Sequence, residues 1–341
     1  MNVERVPGQH DNKSEGLGET RNVTAMDKQD VDPALWPLVD AFPPIDVSAE
    51  TLPGFRAAMV ELTVKIDPAT HPDVRIETVT IPGDASAAGI RCLYFRPVTA
   101  TSAGALLHVH GGGFVMASPE ADVARNVELV RATSCSILSV DYRLAPEHPH
   151  PAALEDCHTA LQWLAAQVKS RGVAAGRIGV IGESAGGGLA ASLALMVRKR
   201  SSVPLACQVL IYPMLVPPER SVAITAQDAR IGRYIWTRAS NSYCWSANLG
   251  STPTLSSEVA ATLAGLAPDL SGLPPAFIAV GDLDLFVHDN LAYASRLLAA
   301  GCSVEAHVYP GAIHAFDRMV EADVSVRFTR EMTGFIQRHL G

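Results

Sequence analysis

The sequence predicts an α/β fold in which a mostly parallel central sheet is covered by helices on both faces and carries a helical cap. From residue 105 onward, short apolar runs alternate with stretches of helical length, and this alternation builds a parallel sheet between layers of helices. It is broken once, at residues 217–272, by prolines, scattered polar residues and aromatic residues. Long insertions are usually functional, so we interpret this one as a cap over the carboxyl edge of the sheet.

The first two predicted strands precede the alternating region. The strand Val74–Ile81 alternates charged and apolar residues, which is typical of a half-exposed strand, whereas the mostly apolar run Ala105–Val109 indicates a buried strand. Strands are predicted at Val74–Ile81, Gly89–Phe95, Ala105–Val109, Cys135–Val140, Arg177–Ile181, Ala206–Tyr212, Ala276–Val280 and Val304–Tyr309. Helices are predicted at Asp122–Thr133, Ala153–Val168, after residue 184, at Asn290–Ala300 and at Ala322–Leu340.

Two further helices are expected near the N-terminus. One begins at Asp32-Pro33, because proline is favoured at the first helical position, and continues to Phe42; the other spans Leu52–Lys65. The predicted organisation is therefore a flexible tail at residues 1–30, N-terminal cap helices at 31–66, an α/β domain at 67–216 and 273–341, and a cap insertion at 217–272.

Composition excludes several classes of protein. Charged residues make up 18% of the chain and apolar residues 48%, which indicates a globular protein. The net charge of −8 argues against nucleic-acid binding and against attraction to anionic membranes. No apolar run approaches the roughly 18 residues of a membrane span. The polar N-terminus lacks a signal-peptide core, and the six cysteines show no disulfide spacing, so we expect a cytoplasmic location.

A glycine-rich turn, Gly-Glu-Ser-Ala-Gly at residues 182–186, joins an apolar strand to a helix of small residues. In a nucleophile elbow the strand turns so sharply that the serine is strained and its hydroxyl stands above the sheet. The residues two before and two after Ser184 must then be small, and both are glycine. The following helix would aim its N–H groups at the space above Ser184. A glycine turn without chemical function is the alternative.

A second glycine cluster, His110-Gly111-Gly112-Gly113-Phe114, follows the strand Ala105–Val109. Successive glycines leave backbone N–H groups uncovered by side chains, as is needed to hold a developing oxyanion. With the N–H of Ala185 they would form a hole with three donors. A flexible loop without chemical function is the alternative, and the presence of the predicted elbow favours the oxyanion hole over it.

Two histidines at the end of the same strand, His108 and His110, raise the alternative of a metal site. Zinc sites need three or four ligands, and no third ligand cluster is apparent in the sequence. We therefore expect no metal, and no cofactor is implied.

A serine hydroxyl becomes a strong nucleophile only when a base takes its proton, and that base needs an orienting carboxylate. Asp284 and His314 follow the last two predicted strands, and the order Ser, Asp, His is that of α/β-hydrolases. Asp282 lies two residues before Asp284, and in an extended segment both would point the same way. We favour Asp284, because its neighbours at 283, 285 and 286 are apolar and would shield a carboxylate–imidazolium pair from water.

The chain resembles the bacterial hormone-sensitive-lipase-like (family IV) carboxylesterases of the α/β-hydrolase fold over about residues 70–340. The motifs that carry the resemblance are His110–Phe114, Asp141–Pro149, Gly182–Gly187, Gly281–Phe286 and His314. The resemblance implies a catalytic triad of Ser184, Asp284 and His314 and an oxyanion hole of Gly112, Gly113 and Ala185. It also implies that His110 positions the glycine loop. Members commonly have glycine where this chain has Ala315, and an acidic pair where it has Val287-His288-Asp289.

The sequence is thus interpreted as a serine carboxylesterase that hydrolyses small-molecule esters through an acyl-enzyme. The resemblance implies short acyl chains and a homodimer. An amidase or formamidase with the same triad stays open, because leaving-group preference depends on cap side chains. A ligand receptor of the hydrolase fold that has lost catalysis is a further alternative, but such plant receptors lack the histidine kept here at 314.

Overall fold

A computed structural model of the chain describes residues 28–42, 46–62, 70–83, 89–98, 103–170, 176–222, 228–250 and 255–341. Most of the predicted tail, residues 1–27, and the end of the second predicted helix, residues 63–65, lie outside the described residues. So do residues 223–227 and 251–254 of the predicted cap insertion.

Eight strands form one sheet in the order β1-β2-β4-β3-β5-β6-β7-β8. The strands are β1 (Val74–Ile81), β2 (Ile90–Pro97), β3 (Ala105–Val109), β4 (Ser136–Val140), β5 (Ile178–Glu183), β6 (Cys207–Ile211), β7 (Ala276–Gly281) and β8 (Val304–Tyr309). Pairing is antiparallel between β1 and β2 and between β2 and β4. All other neighbours are parallel, which confirms the predicted mostly parallel sheet.

The α-helices in the described residues lie before, between and after the strands. They are α1 (Trp36–Ala41), α2 (Leu52–Leu62), α3 (Val123–Thr133), α4 (Ala152–Ser170), α5 (Ala185–Arg200), α6 (Arg238–Leu249), α7 (Ser257–Ala260), α8 (Val287–Ala299) and α9 (Asp323–Leu340). Helix α3 packs against α9, and α4 packs against α5. Every residue of β3 to β7 is buried, so both faces of the central sheet are covered.

Two element boundaries near the candidate site differ from the prediction by two or more residues. Strand β5 continues to Glu183, because Gly182 and Glu183 still pair with Leu210 and Ile211 of β6. Helix α8 begins at Val287 rather than at Asn290. It starts early because the N–H of Val287 donates to the carbonyl of Asp284 at 3.2 Å, and the chain coils directly after that loop.

The N-terminal segment contacts α6 from the interval 217–272. The N–H of Val47 donates to Oγ of Ser240 at 2.9 Å, and the Thr237 hydroxyl donates to Asp46. Thr237 also caps α6, since its Oγ1 accepts the N–H of Ser240 at 3.1 Å. These two parts of the chain therefore pack together next to the carboxyl ends of the central strands.

Candidate active site

Ser184 links β5 to α5 in a backbone conformation that residues other than glycine rarely adopt, with φ 53° and ψ −118°. Such conformations cost on the order of 1–3 kcal/mol and persist where the surroundings enforce them. A Cβ on Gly182 would lie 2.3 Å from the carbonyl oxygen of Gly186, and one on Gly186 would lie 2.0 Å from that of Val109. Only glycine fits at either position, so this turn has the geometry of a nucleophile elbow.

Three side chains from different strand ends meet at this turn. Nε2 of His314 lies 3.1 Å from Oγ of Ser184, and Nδ1 of His314 lies 2.7 Å from Oδ2 of Asp284. All three residues are at most 5% exposed. The second oxygen of Asp284 accepts the N–H of Phe286 at 2.9 Å. The serine hydroxyl, the imidazole and the carboxylate thus form one hydrogen-bonded chain away from bulk water.

Asp282 does not reach the imidazole. Its Oδ1 accepts the N–H of Gly311 at 2.8 Å, and burial raises the pKa of its carboxyl group, an effect that this hydrogen bond partly offsets. The segment is not extended as assumed from the sequence, because the N–H of Asp284 donates to the carbonyl of Gly281 at 3.2 Å and closes a turn. The two carboxylates therefore have different partners although they are two residues apart.

Aromatic rings surround the imidazole of His314. The ring centroids of Tyr212, Phe286 and Trp236 lie 4.6, 5.4 and 6.0 Å from it. Trp236 also contacts the glycine loop, where its Cη2 would stand 2.5 Å from a Cβ on Gly113. These rings restrict the orientation of the imidazole and exclude water from around it.

The glycine loop lies against the elbow. A Cβ on Gly111 would stand 3.6 Å from Cβ of Ser184. Gly112 and Gly113 have φ values of 102° and 62°, and the carbonyl of Gly112 accepts the N–H of Met116 at 3.0 Å. The tight turn presents its backbone next to the serine, as does Ala185 at the first position of α5.

His110 contacts Tyr142 and the glycine loop through its ring and its carbonyl. The imidazole stacks on Tyr142 with centroids 4.2 Å apart, and its Nδ1 lies 2.8 Å from the carbonyl oxygen of Gly111. The Tyr142 hydroxyl donates to the His110 carbonyl at 2.9 Å. Burial lowers the pKa of His110, which favours the neutral ring.

The structure places two carboxylates beside His108, which the sequence raised as a possible metal ligand. Ligand atoms of His108, Asp122 and Glu183 all lie within 4.8 Å of one another and are buried. Arg125 donates to Glu183, and Arg318 donates to Asp122 at 2.6 Å. Because the carboxylates are already paired with guanidinium groups, a divalent cation there would face two positive charges. The arrangement suits an ion-pair network better than a metal centre.

The two departures from the family pattern lie close to the triad. Ala315, directly after His314, has φ 61° and ψ 24°, the left-handed region that favours glycine. The carboxylate of Asp289 accepts hydrogen bonds from the Ser221 hydroxyl at 2.6 Å and from the N–H of Val222 at 2.9 Å. Only Ala315 bears on the loop that carries the imidazole.

Residues 106–318 match a family model described as alpha/beta hydrolase fold. The chain belongs to this family. It is 34% identical to esterase LipI of Mycobacterium tuberculosis over 86% of the chain and 90% of that protein. It is 30% identical to an arylesterase of Saccharolobus solfataricus over 65% of the chain and 71% of that protein. The structure is similar to a bacterial heroin esterase, with a TM-score of 0.81 and 31% identity over 92% of this chain and 98% of that one.

These similarities agree with the hormone-sensitive-lipase-like carboxylesterases predicted from the motifs, and the chain is a carboxylic ester hydrolase. Among the described residues, no helix is both long enough and apolar enough to cross a membrane.

Proposed function

We propose that this chain is a serine carboxylesterase in which Ser184 is the nucleophile, His314 the general base and acid, and Asp284 the carboxylate that orients the imidazole. The observation that carries the proposal is the continuous chain of hydrogen bonds, 3.1 Å from Ser184 to His314 and 2.7 Å from His314 to Asp284. A nucleophile, its base and an orienting acid within this reach are the elements that acyl transfer requires.

The proton movements follow from this order. The Asp284 carboxylate accepts a hydrogen bond from Nδ1–H of His314, so the lone pair of Nε2 faces the serine hydroxyl. As Oγ attacks the ester carbonyl, its proton passes to Nε2, and the carboxylate stabilises the imidazolium. The imidazolium then gives that proton to the departing alkoxide. Water then attacks the acyl-enzyme and gives a proton to Nε2. The imidazolium returns a proton to Oγ of Ser184, and the acid product leaves.

We assign the developing oxyanion to the backbone N–H groups of Gly112, Gly113 and Ala185. The contact of the glycine loop with Ser184 supports this assignment. The N-terminus of α5 supports it as well, because its positive end lies where negative charge would develop. Removing one such donor typically costs about 10²–10³ in kcat.

The serine assignment is tested by Ser184→Ala. The variant is expected to fold, because the alanine fits the same turn, and to lose several orders of magnitude in ester hydrolysis. A fluorophosphonate probe should label the wild-type protein at Ser184 alone, as read by peptide mass spectrometry. More than a tenth of wild-type turnover in purified Ser184→Ala would reject the assignment.

We further propose a preference for short acyl chains, of about two to eight carbons, as is typical of the family. The aromatic walls around His314 and the packing of the N-terminal segment on α6 support a site of limited depth. Rates across ester, lactone and anilide substrates of increasing length test this proposal. A rate maximum on emulsified long-chain triglycerides would contradict it.

Location and assembly are also proposals. All six cysteines are unpaired and buried, which supports a reducing, cytoplasmic compartment. Strand β8 ends the sheet next to β7, and such an edge supports homodimerisation by pairing with a second copy. Light scattering on the purified protein decides between monomer and dimer.

A further inference from the structure

One buried arginine contacts both chain segments that carry the reacting pair. Arg125 of α3 donates to Glu183 and to Asp317. Glu183 directly precedes Ser184, and Asp317 is the third residue after His314. The Arg125 side chain is only 14% exposed, and each carboxylate side chain is 2% exposed.

Asp317 is connected to the imidazole of His314 through Tyr212. The other oxygen of Asp317 accepts the Tyr212 hydroxyl at 2.6 Å, and the Tyr212 ring packs against His314 with centroids 4.6 Å apart. The Tyr212 N–H donates to the carbonyl of Ala279 at 2.6 Å, which fixes the ring to the sheet. Asp317 is therefore held between the guanidinium and the phenol that supports the imidazole.

The sheet connects the serine to the histidine only through two intervening strands. Ser184 follows β5, whereas His314 follows β8, and β6 and β7 lie between these strands. Small shifts between neighbouring strands would therefore add up and change the 3.1 Å distance from Oγ of Ser184 to Nε2 of His314. A single group that contacts both segments removes this freedom.

A guanidinium suits this place better than an ammonium group would. Its planar fork can bind two carboxylates in fixed directions, whereas lysine is a single compact charge. Burial lowers the pKa of Arg125, but Asp317 and Glu183 outweigh it and hold that pKa above its usual value. Arg125 thus stays charged within the fold.

We propose that Arg125 is a positioning residue for ester hydrolysis, holding the turn of Ser184 and the loop of His314 at the separation that their hydrogen bond needs. This inference rests on the proposed function, since it takes those two residues as the reacting pair. Arg125 acts through Glu183 and Asp317 and does not contact the substrate.

The test uses Arg125→Lys, which keeps the charge but replaces the planar fork with one compact ammonium group, so the two carboxylates are no longer held in fixed directions. Misplacement of reacting groups by about 1 Å costs about 10²-fold in rate, so kcat per active site should fall between about 10-fold and 100-fold. KM should stay within about twofold, because the ester-binding walls are untouched. Active sites are counted by the stoichiometry of fluorophosphonate labelling, so a loss of folded protein does not enter the result.

Arg91→Lys is the matched control. Arg91 also joins two carboxylates, Glu120 at 2.5 Å and Asp141 at 2.7 Å, and neither adjoins Ser184 or His314 in the chain. The turnover of Arg91→Lys per labelled site should match that of the wild type within about twofold. Asp317→Asn serves as a second variant of the same contact if Arg125→Lys does not fold, and the same loss is expected.

The outcomes separate the two proposals. If the wild-type protein is not labelled at Ser184, the proposed function fails. If Ser184 is labelled but turnover per labelled site in Arg125→Lys or Asp317→Asn stays within about twofold of wild type, the positioning role of Arg125 is wrong. An equal loss in Arg91→Lys would likewise reject it, because loss of any arginine that joins two carboxylates would then suffice.

Discussion

Oδ2 of Asp284 lies 2.7 Å from Nδ1 of His314, whereas Asp282 in the same loop binds the N–H of Gly311. The Asp284 carboxylate is 1% exposed and faces the imidazole in a pocket of aromatic rings. In the proposed mechanism it fixes the tautomer of His314 and stabilises the imidazolium formed during proton transfer.

We therefore expect Asp284→Asn to keep the fold and to lower kcat by about 10³–10⁴, the effect of losing the tautomer-fixing acid of a triad. Asp282→Asn should cost about tenfold or less, since its amide oxygen can still accept the N–H of Gly311. Steady-state kinetics, with circular dichroism of both variants, measure the two effects. A larger loss at Asp282 would reverse the assignment.

Ala315 is expected to tolerate glycine. Its φ of 61° costs an L-residue about 1–2 kcal/mol, and glycine removes that cost while adding less than about 1 kcal/mol of unfolded-chain entropy. Ala315→Gly should raise the free energy of unfolding by up to about 1 kcal/mol, measured in urea. Turnover should stay within about twofold.

Ala292→Gly is the control for this change. Ala292 lies within the right-handed helix α8, where glycine should lower the free energy of unfolding by about 1 kcal/mol. If Ala315→Gly destabilises the protein as much as Ala292→Gly does, backbone strain at Ala315 is not relieved by glycine.

Acid sensitivity should come in part from Glu120. The hydrogen bond from Arg91 holds the pKa of Glu120 at about 2, against an ordinary value of 4.5. A depressed pKa stabilises the folded protein above the ordinary value, and this stabilisation is lost as the pH falls from 4.5 towards 2. Glu120→Gln should therefore lower the free energy of unfolding by about 1–2 kcal/mol at pH 7.

The same difference should shrink steadily below pH 4.5. Urea unfolding of wild type and Glu120→Gln, from pH 7 down to the lowest pH at which both fold, measures it. A difference that stays constant over this range would show that the ionised carboxylate does not stabilise the fold.

Much of the fold could be predicted because its signals are local. Continuous apolar runs predicted the buried strands, and glycines at 182 and 186 predicted the sharp turn at Ser184, where a side chain would collide with Gly186 or Val109. The glycine loop and the strand-end positions of Asp284 and His314 were visible for the same reason.

The contacts that hold the site together were not visible. Arg125 and Asp317 are 192 residues apart in the chain, and nothing in either local pattern indicates the other. The turn that separates Asp282 from Asp284 depends on a hydrogen bond to Gly281, which residue types alone do not specify. Aromatic residues were noted in the interval 217–272, but the contact of Trp236 with Gly113 depends on how that segment packs.

We expect the acyl chain to enter a narrow cavity beside the elbow. This cavity is partly open to solvent, and it is lined in part by Phe114, Gly188, Met214 and Trp245. The N–H groups of Gly188 and Met214 both donate to the carbonyl of Ser184, at 3.0 and 2.8 Å, which places the cavity against the serine. Trp245 closes one side, with its ring 5.1 Å from that of Phe114.

Trp245 should therefore limit acyl length, and Trp245→Leu should lengthen the preferred chain. The indole N–H has no hydrogen-bond partner among the described residues, so the change breaks no hydrogen bond and mainly adds space. Each methylene in an apolar pocket is worth about 1–3 kcal/mol in kcat/KM. The ratio of kcat/KM for an octanoate ester to that for a butyrate ester should thus rise about tenfold or more.

Trp163→Leu is the control, because Trp163 lies on α4, does not line this cavity and packs its ring against Tyr94 with centroids 5.7 Å apart. It should lower the free energy of unfolding while leaving the octanoate-to-butyrate ratio within about twofold of wild type. If Trp245→Leu also leaves the ratio unchanged, with Ser184 still labelled at the wild-type rate, the acyl chain does not enter this cavity.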